Sequence, residues 1–288
     1  MELAFIFLLE ALYTISVLVL IGSGLSIIFG MMQVINLAHG EFLVLGGYIA
    51  ITAHELGCNI FVAILIIAPS IVCIYGIIIE RLIVRRFYNR IINTMLASWG
   101  LSLAMIGFFT MVFGNTTTGI SSPIGSYAIG KYQLSGYNLF VIFVAIGVLA
   151  GLWFLLKHTR MGLIAQATMK NPEMASAFGY NPSKVYMLTF AGGAFLAGLA
   201  GAVISPLVGL GPATGGDFIA KAFITVIVGG ASVVSGLISS ASSLGLVTQG
   251  LSFIFIQSVG EISLLILAII LLVLLPKGIS GKFFKNRI

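Results

Sequence analysis

Long apolar runs, broken by short polar stretches, dominate the chain. A helix that crosses a bilayer needs about 20 mostly apolar residues. On that measure the pattern predicts helices at roughly 5–31, 42–56, 60–79, 91–113, 138–156, 185–205, 218–235, 237–256 and 262–276. The second run is short, with about 15 positions before Glu55 and Cys58, and together with the first it is punctuated by Gly22, Gly24, Gly30 and Gly40. Short or interrupted helices in membrane bundles mark permeation paths, because irregular backbone is tolerated only against protein or a watery cavity. The pattern therefore predicts an all-α polytopic membrane protein, with about eight or nine transmembrane helices and a broken or short helix near residues 36–56. No stretch is long enough to fold as a separate soluble domain, so 1–288 reads as one transmembrane domain, and no internal repeat is legible.

Composition agrees with that picture. Hydrophobic residues make up 59% of the 288 positions and charged residues 8%, against about 25% charged in soluble domains. So few charges cannot cover a water-facing surface, and lipid must take their place. The net charge of +6 does not point to nucleic acid, because the basic residues fall in three patches between or after apolar runs. These are Arg81, Arg85, Arg86 and Arg90; Lys157, Arg160, Lys170 and Lys184; and Lys277, Lys282, Lys285 and Arg287. That is the positive-inside pattern. It places 114–137, with Lys131, and 206–217, with Asp217 as its one charge, on the outer side. The N-terminus then lies outside and the C-terminus in the cytoplasm. The amino end carries Glu2 and Glu10 in place of a basic region, so it reads as a retained helix. On one helix Cys58 and Cys73 would stand roughly 22 Å apart, too far for a disulfide.

Candidate chemistry is sparse, which narrows the function. No Gly-x-x-x-x-Gly-Lys-Ser/Thr phosphate loop is present. The acids and histidines are scattered, and His39 and Glu41, the one close pair, point to different faces of a helix, so no metal site is expected. The concentrated feature is Asn36, His39 and Glu41 inside an otherwise apolar region. Polar and ionisable groups at membrane depth are costly and commonly functional. Asn36 offers donors and an acceptor to a zwitterion or an amide. His39, desolvated, can act as a switchable hydrogen-bonding group. Glu41 suits either the start of the following helix, where a carboxylate caps exposed N–H groups, or contact with a substrate ammonium; the capping role is favoured. Small residues at four-residue spacing, Ala194, Gly198 and Ala202, predict a close helix contact, as do Gly229 and Gly230. In the loop 157–184 a helical run at Leu163–Met169 precedes Asn171, a plausible N-cap before Pro172, with Gly179 as the stop. Such a helix could lie on lipid or dock a soluble partner.

Several of these segments together resemble the permease subunits of branched-chain amino acid ABC importers. Ile35-Asn36-Leu37-Ala38-His39-Gly40-Glu41, followed by Leu45-Gly46-Gly47-Tyr48, is similar to that family's signature. Thr159-Arg160-Met161-Gly162 with Asn171, Ala175, Gly179, Val185 and Thr189-Phe190 is similar to its cytoplasmic coupling segment. Glu173-Met174-Ala175 followed by Gly179 resembles the Glu-Ala-Ala…Gly docking pattern of bacterial importers. The likeness continues through Gly198-Leu199-Ala200-Gly201, Val228-Gly229-Gly230 and Pro276-Lys277-Gly278, and so spans nearly the whole chain. The chain departs from it at Gln166, where arginine is common, and at Gly230–Gly236, where Gly-x-Gly-Ser-x-x-Gly is usual. Ala97–Leu103 with Phe113-Gly114 also resembles the urea permeases of the same superfamily.

The resemblance implies a multi-pass subunit of the bacterial inner membrane that is not itself an enzyme. It implies pairing with a second homologous permease or with itself. Two cytoplasmic ATP-binding subunits, which use ATP and Mg, would dock on a coupling helix within 163–179, through Arg160, Gly162, Asn171, Glu173, Ala175 and Gly179. A periplasmic binding protein would deliver a branched-chain amino acid, or alternatively urea or a short amide, to the outer loops. The chain itself is expected to bind no cofactor, and Asn36, His39 and Glu41 would line the path.

Overall fold

A computed structural model describes residues 2–88, 90–129, 132–230 and 232–283. The predicted loop charge Lys131, the cytoplasmic charges Lys285 and Arg287, and Ala231 within the Gly230–Gly236 run lie outside the described residues, as does the side chain of Lys282. The elements in order are α1 (Glu2–Met32), α2 (His39–Glu55), α3 (Ile60–Val62), α4 (Ala68–Leu82), α5 (Ile91–Phe113), β1 (Ser126–Ile129), β2 (Tyr132–Ser135), α6 (Gly136–His158), α7 (Arg160–Lys170), α8 (Pro172–Ala177), α9 (Pro182–Ile204), α10 (Gly215–Gly229), α11 (Val233–Ile254), α12 (Gln257–Leu274) and α13 (Gly278–Phe283). Seven stretches are long and apolar enough to cross a membrane: Leu3–Met32, Ile60–Leu82, Ile91–Phe113, Gly136–His158, Pro182–Ile204, Val233–Ile254 and Gln257–Gly281. The protein is thus a multi-pass membrane protein built mainly of helices. The two remaining predicted crossings, α2 and α10, are 17 and 15 residues long.

Local sequence explains most boundaries. α3 runs into α4 through a π-helical turn at Ala63–Ile67, just before Pro69. Proline lacks an N–H and crowds the carbonyl four residues back, and a widened turn relieves both problems. α9 starts at Pro182 behind Asn181, whose side chain accepts from Ser183 N at 3.0 Å. The segment after α5 is not purely irregular, because β1 and β2 pair antiparallel with Ser126 opposite Ser135.

α9 is buried along most of its length against α1, α2 and α4, and α10 packs on α1 and α2. No repeat is legible in the sequence, yet the helices repeat in space. Exchanging α1 with α9, α2 with α10 and α4 with α11 turns the α4–α9, α2–α9 and α2–α4 packings into α11–α1, α10–α1 and α10–α11. α11 lies along α1 as α4 lies along α9. Gly22 faces Leu237, and Ser26 Oγ donates to Val233 O at 2.9 Å; Ala194 faces Gly76, and Gly198 faces Val72. Four residues forward on α1 or α9 is four residues backward on its partner, so both pairs are antiparallel.

Candidate functional site

The signature segment is built as a turn between α1 and α2. α1 stops where Gln33 takes a left-handed conformation at φ 52°. The chain then runs inward, and Asn36 folds back on itself, its Oδ1 accepting from Ala38 N at 3.1 Å while its carbonyl accepts from His39 N at 3.3 Å. This local bonding holds a buried asparagine backbone outside the helix, as such side chains commonly do. α5 supplies the outer support. Its inward face carries Thr94, Ser98 and Ser102 at four-residue spacing, and Ser98 Oγ accepts from Leu37 N at 3.0 Å. Sequence reasoning did not single out this hydroxyl stripe, although its spacing was the available signal.

The structure places Asn36, His39 and Glu41 in the interior, all essentially inaccessible. It does not bring all three together. His39 turns toward α1, with Nε2 3.4 Å from Ile21 O and its ring over Gly24, where an added Cβ would lie 2.8 Å from Cε1. Glu41 turns the other way, and its carboxylate lies against Gly215, the first residue of α10, with Ser102 close by. Asn36 Nδ2, His39 Nδ1 and Glu41 Oε2 each lack a hydrogen-bond partner among the described residues. Buried polar atoms are rarely left unpaired, so these three atoms are exceptions in the core of the bundle.

Glu41 differs from the expected simple cap. α2 begins at His39, not at 42, so Glu41 already belongs to its first turn. A Cβ on Gly40 would fall on the carbonyl of Gly215, so the starts of α2 and α10 touch backbone to backbone. The carboxylate therefore sits by two helix N-termini, whose dipoles both favour it. The segment 206–217, expected as a loop, is partly buried and ends in helix. Leu210 is buried on Gly47, and its backbone exchanges hydrogen bonds with Thr118 at 2.8 and 2.9 Å. Tyr48, whose OH reaches Leu210 O at 3.5 Å, stacks on Phe113 at 4.0 Å. From there the chain turns inward to Gly215, so Asp217 lies in a helix rather than in an outer loop. The apolar Leu210 and the close-approach glycines draw the segment into the bundle.

In the loop 157–184 the helical run expected at Leu163–Met169 and the capped helix expected after Asn171 form as α7 and α8. Thr159 Oγ1 accepts from Gly162 N at 3.1 Å to start α7. A Cβ at Gly162 would lie 2.7 Å from Leu156 Cα, so glycine lets α7 fold back on α6. Gln166, the departure from the family pattern, donates from Nε2 to Leu156 O at 2.9 Å. Asn171 then breaks the run, accepting from Met174 N at 2.9 Å to start α8, and Gly179 reverses the chain at φ 84°. Ala175 is buried, while Arg160, Asn171, Glu173, Met174 and Phe178 are exposed. Among the packing residues, Ala194 meets Gly76, Gly198 meets Val72 and Pro69, Ala202 is buried, and Gly229 meets Gly236. Gly230, at φ 83°, is close to Lys277, Gly278 and Ser280.

A second buried carboxylate was missed. Glu80, in the last turn of α4, is fully buried, and Tyr88 OH donates to its Oε1 while Oε2 has no partner among the described residues. Burial and the adjacent carboxylate both raise the Tyr88 phenol above its usual range, so it remains a donor.

The model of the family described as branched-chain amino acid transport system / permease component matches residues 7–275. The chain belongs to that family. The permease is 29% identical to the probable branched-chain amino acid transport permease protein LivH of Methanocaldococcus jannaschii, over 94% of this chain and 90% of the relative. It is 26% identical to the high-affinity branched-chain amino acid transport system permease protein LivH of Escherichia coli K12, over 91% of each chain. It is also similar to the fructose import permease protein FruF of Bifidobacterium longum, 29% identical over 73% of this permease and 58% of the relative. No solved structure matches it.

Proposed function

We propose that this chain is the membrane subunit of an ATP-binding-cassette importer that carries branched-chain amino acids delivered by a periplasmic binding protein. The observation that carries the reading is the family match across nearly the whole chain, with LivH relatives aligned over nine-tenths of their length. The chain sits in the bacterial inner membrane as one transmembrane domain, N-terminus outside and C-terminus inside, and α2 and α10 bring its membrane-passing elements to nine. A second permease subunit completes the membrane unit. ATP and Mg are used by two cytoplasmic subunits, and this chain needs no cofactor.

The path runs past the break between α1 and α2. Asn36 Nδ2 and His39 Nδ1 offer hydrogen bonds there, and Glu41 mainly supports the two helix starts. The ATPases dock on the cytoplasmic corner, where exposed Met174 and Phe178 flank Glu173 and the buried Ala175 anchors α8 to the bundle. Closure of the ATPases on ATP pulls this corner and switches the cavity from one side to the other. The importer, reconstituted with its binding protein, should take up leucine only with ATP. Glu173→Lys should lower binding-protein-stimulated ATP hydrolysis at least tenfold, with the permease still in the membrane. Normal ATP hydrolysis in that variant removes the docking assignment. Uptake of urea in place of leucine removes the substrate assignment.

A further inference from the structure

The proposed path and docking corner leave one strongly charged surface unused, the turn between α4 and α5. Arg81 lies in the last turn of α4, Arg85 and Arg86 stand on a 3-10 turn at Val84–Phe87, and Arg90 directly precedes α5; all four are exposed. Membrane orientation needs positive charge on one side, and lysine meets that need as well as arginine. The other two basic patches are mostly lysine: Lys157, Lys170 and Lys184 with Arg160, and Lys277, Lys282 and Lys285 with Arg287. The α4–α5 patch holds arginine only. The planar fork of arginine bonds a phosphate through two parallel N–H groups, whereas lysine acts as a point charge.

These guanidinium groups are not spent on acids. Among the described residues none of the four forms an ion pair. Glu80, the neighbouring carboxylate in sequence, is fully buried and accepts from Tyr88 OH. Arg81 leans on α9, its Nε donating to Met187 Sδ at 3.3 Å. The backbone that carries the others is fixed at several points. Val84 is buried, and Tyr88 packs on Tyr186 of α9 with ring centroids 4.9 Å apart. Thr94 Oγ1 donates to Phe87 O at 3.0 Å and to Arg90 O at 3.1 Å. A turn held this way loses little further freedom when it closes on an anion.

The surface on either side of the arginines is apolar. Ile74, Ile78 and Leu82 on α4, and Ile92, Leu96 and Trp99 on α5, are all exposed. Their three- and four-residue spacing puts each set on one helix face, and both faces end at the arginines. Acyl chains suit the two faces, and lipid phosphates suit the basic turn where they end.

We propose that the α4–α5 turn binds the phosphate of an anionic phospholipid, with Arg85, Arg86 and Arg90 supplying the forks. A free phosphate shares that chemistry but makes no use of the apolar faces. The site does not depend on which cargo the transporter carries.

The test is native mass spectrometry of the purified transporter complex, delipidated and then titrated with phosphatidylglycerol or with phosphatidylcholine of the same acyl chains. Phosphatidylglycerol is expected to bind at least tenfold more tightly. The triple variant Arg85→Gln, Arg86→Gln, Arg90→Gln is expected to lose at least fivefold of that preference, while Lys157→Gln at the end of α6 keeps it. The triple variant Arg85→Lys, Arg86→Lys, Arg90→Lys keeps the charge that orients the chain, so it decides the matter should the glutamine variant not insert; it is expected to bind phosphatidylglycerol at least threefold more weakly than the unmodified chain. Unchanged affinity in the lysine variant, or no preference over phosphatidylcholine, overturns the proposal. Displacement of the lipid by millimolar inorganic phosphate makes the turn a free-anion site and overturns it too. Lipid binding that appears only after the ATP-binding subunits are stripped off makes the turn a protein seat, with the same consequence.

Discussion

Gly215→Ala tests whether the meeting of α2 and α10 is the structural centre of the site. A Cβ at position 215 would lie 2.8 Å from Glu41 Oε1 and 3.0 Å from the Gly40 carbonyl carbon, where ordinary contacts begin at 3.4 Å. The carboxylate has no room to step aside, because Glu41 is almost wholly buried. Either it is displaced or the two helix starts separate, and overpacking of this kind costs about 1–3 kcal/mol. Gly216→Ala is the matched control: nothing lies within 4 Å of an added Cβ there, and alanine for glycine in a helix is neutral or stabilising by up to ~1 kcal/mol. Thermal unfolding of the detergent-solubilised importer, followed by leucine uptake in proteoliposomes, should show a lower Tm and at least tenfold slower uptake for Gly215→Ala alone. Because the clash is partly with the Glu41 side chain, Glu41→Ala should relieve part of it, and the two changes should couple by roughly 0.5–3 kcal/mol. Equal Tm and uptake for the 215 and 216 variants refute the reasoning.

Three further changes probe the supports around the site. Ser98→Ala leaves the buried Leu37 N–H without its acceptor at 3.0 Å and should cost about 1–3 kcal/mol, read as a lower Tm; an unchanged Tm means the turn is not held from α5. Asn171→Ala removes the N-cap of α8, worth typically ~1 kcal/mol. It should weaken ATPase stimulation while the unfolding midpoint of the membrane bundle stays within a few degrees, whereas Asn171→Asp should retain function. Tyr88→Phe strips the buried Glu80 carboxylate of its donor, and a further Glu80→Gln change should restore part of the lost Tm because the uncompensated charge is gone; no recovery in the double variant counts against the pair.

What could be read in the sequence follows from the range of the forces that write it. Long apolar helices such as α5 at Ile91–Phe113 coincide with their predicted limits, because the need to match a bilayer acts on every residue of the run. The cap at Asn171 and the stop at Gly179 were also legible, being local bonding and backbone preferences. Glu80 and Tyr88 were not, since only folding brings the last turn of α4 against the loop that follows it. Nor was the inward course of 205–214, which looks like an ordinary Gly/Pro-rich loop until Leu210 finds its place over Gly47. Asn36, His39 and Glu41 stood out by polarity, but polarity gives no direction. Two residues along a helix turn roughly 200°, and that rotation sends His39 to α1 and Glu41 to α10.

The two short helices explain why a carboxylate is kept in the interior. At 1.5 Å per residue α2 and α10 are about 25 and 22 Å long, each less than the ~30 Å hydrocarbon thickness. Their first turns meet at Gly40 and Gly215, inside the bundle. Every helix start leaves N–H groups without intrahelical partners, and within a membrane no solvent can take them. Glu41 places its carboxyl group beside both starts, where both macrodipoles favour the ionised form. A lysine or a neutral leucine at 41 would lose this compensation at two helices at once. Glutamine would keep the shape and an acceptor and lose the charge.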